Sequence, residues 1–530
     1  MRRSNARIRV DSKPKTAPNT IKMDPIKLHV RPTSRNPKQT SFKSSIASIF
    51  AILALLSFAC YSLLFANTTR LNYKIIIDGG STGTRVHVFM YRGGKKEAGF
   101  AFDKRGLLSM RVNPGLSAYA EIPENAGESL VGLLEFSKAQ VPEEYWPETE
   151  IWLMATAGLR LLDLGIQERI LDSCRRVLSS SGFKFRHQWA SVITGSDEGT
   201  YAWVVANYAL GSLGGDPLQT TGIIELGGAS AQVTFVSNEP MPPEFSRAVN
   251  FGNFTYNLYS HSFLHYGLNA AFESFKESLV AVDFNLDAQS IQKAMHIDPC
   301  APNGYLHDME WRNLSPGSLS DNKHVNAFQS KGNFSECRSA ALSLLQKGKE
   351  KCSYESCNMG STFMPKLQGK FLATENFFYT SKFFGLGPRA VLSELMMSGQ
   401  QFCGEDWSKL KKKHQSLDDE DLLRYCFSSA YIVALLNDSL GIALDDDRIQ
   451  FANKVENISL DWALGAFILQ STADLDIQQP NWINSLISDD SRMLLSLVSI
   501  SIILLIMAWS ISKWKQPLLK TVYDLEKGRS

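Results

Sequence analysis

Two glycine-rich segments constrain this chain more than anything else in it: IIIDGGSTGTRVHVF, starting at Ile75, and GIIELGGASAQVTF, starting at Gly222. In each, apolar residues lead to a carboxylate (Asp78; Glu225), and a glycine follows two positions later (Gly80; Gly227). Alternating chain then resumes at Val86 and Val88, and at Val233 and Phe235. An apolar run, a tight turn and an alternating run predict a β-hairpin, not a strand feeding a helix. The glycines let backbone N–H groups converge on an anion, and Ser81, Thr82 and Ser230 can add hydroxyl donors. A carboxylate at the entrance suits a metal-bound water better than a bare phosphate, which it would repel. Two such loops, 147 positions apart, predict duplicated lobes gripping one phosphate chain.

Competing motifs fail. There is no G-x-x-x-x-G-K-[ST], no H-E-x-x-H and no G-x-G-x-x-G. Gly79 to Gly83 does satisfy G-x-S-x-G, the nucleophile elbow of serine hydrolases. That elbow needs a strand-turn-helix, whereas the following RVHVFMY alternates as a strand.

The net charge of +2 conceals an asymmetry. Residues 1–43 carry twelve Lys/Arg against Asp11 and Asp24, so the arm is +10 and the remainder −8. Such an arm cannot bury enough apolar surface to fold alone. A nucleic-acid-binding tail is conceivable, but the next segment argues against it. Residues 45–66 run twenty-two positions without a charge, long enough to cross a bilayer and without a clear cleavage site. Residues 493–512 are also uncharged and precede Lys513 and Lys515. The alternative for this second stretch is a buried C-terminal helix. Positive charge held in the cytoplasm places both termini there and residues 67–492 in the lumen or outside. Sequons at Asn67, Asn253, Asn313, Asn333, Asn437 and Asn457 all lie between the two stretches. Six of the eight cysteines crowd into residues 300–426, with no ligand spacing for zinc. An oxidising compartment would pair them. Cys300–Cys337, Cys352–Cys357 and Cys403–Cys426 is the simplest sequential pairing, although spacing alone does not fix connectivity.

Three further segments carry candidate chemistry. EIWLMATAGLRLL, from Glu150, reads as a strand ending at Thr156 with a helix beginning near Arg160. SVITGSDEGTYAWVVANYALG, from Ser191, reads as a strand, a turn and a helix closed by Gly211. Asp197 and Glu198 fall at that helix start, where the dipole favours an ionised carboxylate. Such a carboxylate can take a proton from an attacking water, or it can simply cap the helix. Thr156 could orient water or a phosphate oxygen, or be structural. Ser230 and Gln232, two apart on a strand, could hold the water or form a polar edge. Residues 284–369 read as an irregular, disulfide-tied insert, and helical patterns return from Glu420 to Leu440.

These segments, with FLATENFFYTSKFFGLG from Phe371, stand in the order of the five apyrase conserved regions. Over residues 72–470 the chain resembles the apyrases, or nucleoside triphosphate diphosphohydrolases, particularly plant membrane-bound members. The resemblance implies an α/β fold: a two-lobed, actin/sugar-kinase-like ectodomain of duplicated ribonuclease H-like lobes, here between two transmembrane helices. It divides the chain into a basic arm (1–44), a span (45–66), lobe I (67–218) and lobe II with its insert (219–450). A segment returning to lobe I (451–492), a second span (493–512) and a cytoplasmic tail (513–530) complete it. It implies hydrolysis of nucleoside tri- and diphosphates with Ca²⁺ or Mg²⁺. Carried over residue by residue, Glu198 matches the base, with Ser230, Gln232 and Thr156 beside the water. Gly80, Ser81, Thr82 and Gly83 match one phosphate loop, and Gly227, Gly228 and Ala229 the other. Asp78 and Glu225 match carboxylates that hold the metal through water, and Phe378 and Tyr431 are the choices for the base. Two departures stand out: Glu225 replaces the usual aspartate of the fourth region, and Glu375 stands where a small polar residue is commoner in the fifth. Expected partners are nucleotide substrates and the membrane, with a homo-oligomer open and nucleic acid excluded. The expected location is the secretory pathway, Golgi or plasma membrane. A Golgi nucleoside diphosphatase, a nucleotide-binding ectodomain without turnover and a kinase of the same fold are the competing readings.

Overall fold

The computed structural model describes residues 71–92, 101–281, 296–311 and 324–477, with fragments 502–503 and 506–507. Three consecutive isoleucines explain how the molecule begins. Ile75, Ile76 and Ile77 lie in β1 (Leu71–Gly79), and all three are fully buried. An alternating strand hides one face only, so a sheet carrying such a run is covered on both. Ile75 and Ile77 pack with the helices Val131–Gln140 and Leu164–Ser179, while Ile76 joins a different core.

The first sheet has the order β3-β2-β1-β4-β5, with β2 Thr84–Arg92, β3 Ala101–Val112, β4 Glu150–Ala155 and β5 Ala190–Val192. β1 and β2 form the predicted hairpin, with Asp78 opposite Arg85 and Gly79 opposite Thr84. A strand therefore follows Gly83, and the nucleophile-elbow geometry is absent. β4 runs parallel to β1, and β5 parallel to β4.

The second sheet repeats this plan. Its strands are β6 (Gly222–Leu226), β7 (Ser230–Val236), β8 (Ser246–Phe251) and β9 (Phe254–Leu264). Between these and the last pair lie β10 (His296–Asp298), β11 (Leu306–Trp311) and β12 (His324–Ser330), which make a small sheet of their own, and the ribbon β13 (Cys357–Met359) with β14 (Thr362–Phe363). β15 (Phe371–Glu375) and β16 (Ile449–Phe451) complete the order β16-β15-β6-β7-β9-β8. β6 and β7 form the second hairpin, Glu225 opposite Gln232, and β15 and β16 lie parallel to β6 as β4 and β5 lie parallel to β1. The duplication read from two loops thus extends to five strands per sheet, in the same order and direction.

Between the sheets lie two helices, Gly195–Ala209 and Trp462–Ile477. Their shared core takes Ile76 from β1 and Ile223 from β6, so both lobes are pinned to one layer. A Cβ placed on Gly465 would lie 1.8 Å from the Tyr201 carbonyl oxygen, so the two helices cross where only glycine fits.

Among the described residues the disulfides are Cys300–Cys337, Cys352–Cys357 and Cys403–Cys426. Cys174 is free and buried within Leu164–Ser179. That helix starts later than expected: a single turn at Ala157–Arg160 precedes it. Among the described residues no helix is long and apolar enough to cross a membrane. The two expected spans, 45–66 and 493–512, lie outside the described residues except for the four at 502–503 and 506–507.

Candidate active site

The two hairpin turns face each other across a cleft. A Cβ on Gly228 would lie 2.9 Å from Ser81 Oγ and 3.0 Å from Thr82 Cγ2, so the loop of one lobe reaches that of the other. The cleft encloses about 1050 Å³, counting the part open to solvent, which is ample for a nucleotide. Its walls include the glycine loops, Asp78, Thr156, Glu198, Glu225, Ser230 and Gln232. The expected phosphate-loop and catalytic positions, Ser81, Thr82, Gly80, Gly83, Gly227, Gly228 and Ala229 among them, are therefore brought to one place.

Register shows how the duplicated lobes build the two ends of this site. Gly79 pairs with Ala155 as Leu226 pairs with Glu375. The next residue in each lobe then returns to the hairpin. The Thr156 N–H donates to the Gly79 carbonyl at 3.1 Å, and Asn376 Nδ2 donates to the Leu226 carbonyl at 2.7 Å. Thr156 thus fixes the exit of β1, in addition to lining the cleft.

Glu198 lies in the first turn of Gly195–Ala209, whose cap Thr194 accepts the Asp197 N–H. The helix start is pressed against lobe II: a Cβ on Gly195 would lie 2.1 Å from the Ser262 Cβ. Glu198 is buried, and its Oε2 accepts a hydrogen bond from Arg160 Nη2 at 2.7 Å. Arg160 Nη2 also reaches Ser262 Oγ at 3.4 Å. Gln232 Nε2 donates to Ser262 Oγ at 3.1 Å and to Ser230 Oγ at 2.6 Å. One network therefore joins the candidate base to both candidate water-holding residues across the lobe boundary. The helix dipole was expected to hold Glu198 in its ionised form. Burial instead pushes its pKa up, and the Arg160 charge offsets only part of this. Asp197 does not line the cleft; it forms an ion pair with Arg247 and accepts a hydrogen bond from the hydroxyl of the cap residue Thr194.

Five carboxylates share the cleft: Asp78, Glu198, Glu225, Glu375 and Asp461. Burial raises Asp78 and Glu225 well above the usual carboxylate range, and the neighbouring acids add to it. Burial and Asp461 also raise Glu375. Burial pushes Asp461 upward too, but His87 and Arg85 beside it more than offset this. Arg85 Nη1 bonds Asp461 Oδ2 at 2.9 Å. Asp78 Oδ1 and Glu225 Oε2 are buried without a hydrogen-bond partner among the described residues. Two orphaned carboxylate oxygens amid mutual repulsion fit a hydrated divalent cation, which would neutralise the cluster and supply water donors. Among the described residues no three His, Cys, Asp or Glu side chains converge closely enough to hold a metal directly. Contact through water is the mode this donor set fits.

The base-binding choices need correction. Tyr431 is completely buried in the lobe II core, stacked on Phe427, with its hydroxyl donating to the Tyr266 carbonyl. No base can reach it. Phe378 is half-buried and does not line the cleft, whereas its neighbour Tyr379 is 48% exposed and does. On a helix, adjacent positions face about 100° apart, so a one-residue error changes the face. Sequence reasoning also missed Arg85, Arg111 and Asp461, which line the cleft, and Ser262, which joins Arg160 to Gln232. Arg85 and Ser262 sit on alternating strands, where the pattern predicted only strand. Asp461 and Trp462 open the last helix, and no local motif marked them.

Comparison with known proteins agrees with this geometry. The chain is 53% identical to "Probable apyrase 6" of Arabidopsis thaliana over an alignment of 552 positions, covering 100% of this chain and 99% of that protein. It is 31% identical to mouse ectonucleoside triphosphate diphosphohydrolase 3, covering 77% of this chain and 80% of that protein. Among solved structures, a nucleoside triphosphate hydrolase from Neospora caninum superposes with a TM-score of 0.57 at 17% identity, covering 82% of this chain and 97% of that one. The two-lobed actin/sugar-kinase-like α/β fold is thereby supported. Residues 65–480 match the GDA1/CD39 (nucleoside phosphatase) family, and with most of the chain so matched, the protein belongs to that family.

Proposed function

We propose that this chain is an apyrase that hydrolyses nucleoside tri- and diphosphates to the monophosphate and inorganic phosphate. The observation that carries this reading is the network from Glu198 through Arg160 and Ser262 to Gln232 and Ser230, set beside two facing glycine loops. Loop N–H groups and the Ser81 and Thr82 hydroxyls would cradle the terminal phosphates. Ser230 and Gln232 would hold a water in line with the terminal phosphorus. Glu198 takes the proton as the water oxygen bonds phosphorus and the bond to the leaving phosphate oxygen breaks. A Ca²⁺ or Mg²⁺ held through water by Asp78 and Glu225 would supply charge neutralisation on the phosphates. Tyr379 would offer its ring to the base.

The same reading extends to location. Two membrane spans, at 45–66 and 493–512, would leave the catalytic part in the lumen or outside. Three closed disulfides and the uneven charge of the N-terminal arm support it.

The test is phosphate release by the full chain from ATP, ADP, GDP and UDP, with Ca²⁺, Mg²⁺ or EDTA. Cation-dependent release from tri- and diphosphates is expected. A preference confined to GDP and UDP would instead favour a Golgi nucleoside diphosphatase. Nucleotide binding without release would refute hydrolysis.

A further inference from the structure

Two carboxylates of the cleft have no part in the steps above, and of these Asp461 is paired with Arg85. Glu375 ends β15 with φ 59° and ψ −118°, a backbone conformation that residues other than glycine rarely adopt. Its N–H is fixed by Asn453 Oδ1 at 2.7 Å. The half-buried side chain lines the cleft. Duplication does not account for it either: its counterpart in lobe I by strand register is Ala155. A half-buried carboxylate held on a strained backbone and facing a ligand-sized cleft is placed to accept hydrogen bonds from what enters that cleft.

Its neighbours say what that is. The cleft it lines also holds the phosphate loops, Arg85 and Asp461, and Tyr379, four residues on, is the exposed aromatic of the wall. A nucleotide laid from loops to ring places its ribose between them. Phosphate oxygens only accept hydrogen bonds and would repel Glu375, whereas a ribose cis-diol offers two O–H donors. Carboxylates read ribose hydroxyls in dinucleotide-binding folds for the same reason.

We propose that Glu375 is the ribose-recognising residue, accepting hydrogen bonds from the 2′- and 3′-hydroxyls and selecting ribonucleotides over 2′-deoxyribonucleotides. This rests on the nucleotide-hydrolase reading above. The test compares ADP with 2′-deoxy-ADP on the full chain with cation present. Wild type is expected to favour ADP by about tenfold or more in kcat/KM, the worth of a hydrogen bond to a charged group. In Glu375→Gly the ratio falls to about one, and in Glu375→Gln it is intermediate. Glycine adopts φ 59° freely, so the Gly variant should melt no lower than wild type, which separates lost recognition from misfolding. Equal use of both substrates by wild type overturns the proposal, as does a Gly variant that keeps the full ratio. A Gly variant needing more cation at an unchanged ratio also overturns it, assigning Glu375 to the metal. Should no nucleotide be hydrolysed, the nucleotide-hydrolase reading fails instead. Binding isotherms of ADP and 2′-deoxy-ADP, read by the same criteria, then decide the role of Glu375.

Discussion

Arg160 and Glu198 form a nearly buried ion pair, Nη2 to Oε2 at 2.7 Å, with side chains only 16% and 11% exposed. Burial raises the pKa of Glu198, and the Arg160 guanidinium holds it down against this. Glu198 works ionised, so activity is present above its pKa and fades as pH falls through it. Arg160→Gln removes the charge, and the acid limb of the kcat/KM profile should move to higher pH. Turnover at neutral pH should fall, but by less than the roughly 10²–10⁴-fold expected from losing the base itself. Arg160→Lys should restore part of the shift. An unmoved acid limb in Arg160→Gln would show that the pair is only a structural tie.

Glu198→Gln keeps the volume and an oxygen for Arg160, yet cannot take a proton from water. Turnover should drop by about 10²–10⁴-fold while nucleotide still binds. Calorimetric titration with ADP beside a phosphate-release assay separates the two quantities. Near-normal turnover in this variant would rule out Glu198 as the base.

Tyr379 and Tyr431 make a paired test of the base wall. Tyr431→Ala empties a fully buried site, so it should cost about 3–5 kcal/mol of stability, read as a lower midpoint in urea. Tyr379→Ala exposes little and should leave that midpoint almost unchanged, while KM for nucleotides rises several-fold. Inorganic tripolyphosphate, which has no base, should be used equally well by Tyr379→Ala and wild type. A comparable loss on tripolyphosphate would mean that Tyr379 shapes the cleft and does not meet the base.

These residues also show which parts of the molecule could be read in advance. The hairpins were legible because a buried strand, a glycine turn and an alternating strand each follow from short-range sterics and burial. Asp78, Glu225, Ser230 and Gln232 stand within such segments, so their convergence followed once the lobes were taken as duplicated, whereas Glu198 at a helix start read equally well as a cap and was singled out by the resemblance. The cysteine pairing was not fixed by spacing, although the simplest sequential choice, between near neighbours, is the one that forms. Arg85, Ser262 and Asp461 were not legible, because their roles depend on partners 376 or 102 positions away, Asp461 for Arg85 and Arg160 for Ser262. Tyr431 misled because an aromatic in a helical segment reads alike whether it faces a cleft or a core.

Four carboxylates of the cleft, Asp78, Glu198, Glu225 and Glu375, have pKa values raised by burial. An acid raised on folding adds stability below its unfolded value, about pH 4, and loses it as pH climbs through the folded value. Asp461, which is lowered, acts in the opposite sense, its stability being lost as pH falls. With four against one, the cation-free cleft should become a growing liability from mildly acidic to neutral pH. A cation that neutralises the cluster should therefore stabilise the protein more at pH 7.5 than at pH 5.5. At a hundred times its dissociation constant it would contribute about 2.7 kcal/mol. Melting curves with Ca²⁺, Mg²⁺ or EDTA at the two pH values measure this directly. Asp78→Asn and Glu225→Gln each remove an orphaned buried oxygen's charge, so each should raise the melting point in EDTA and shrink the gain on adding cation. If the gain is the same at both pH values and survives in both variants, the cation binds somewhere other than this cluster.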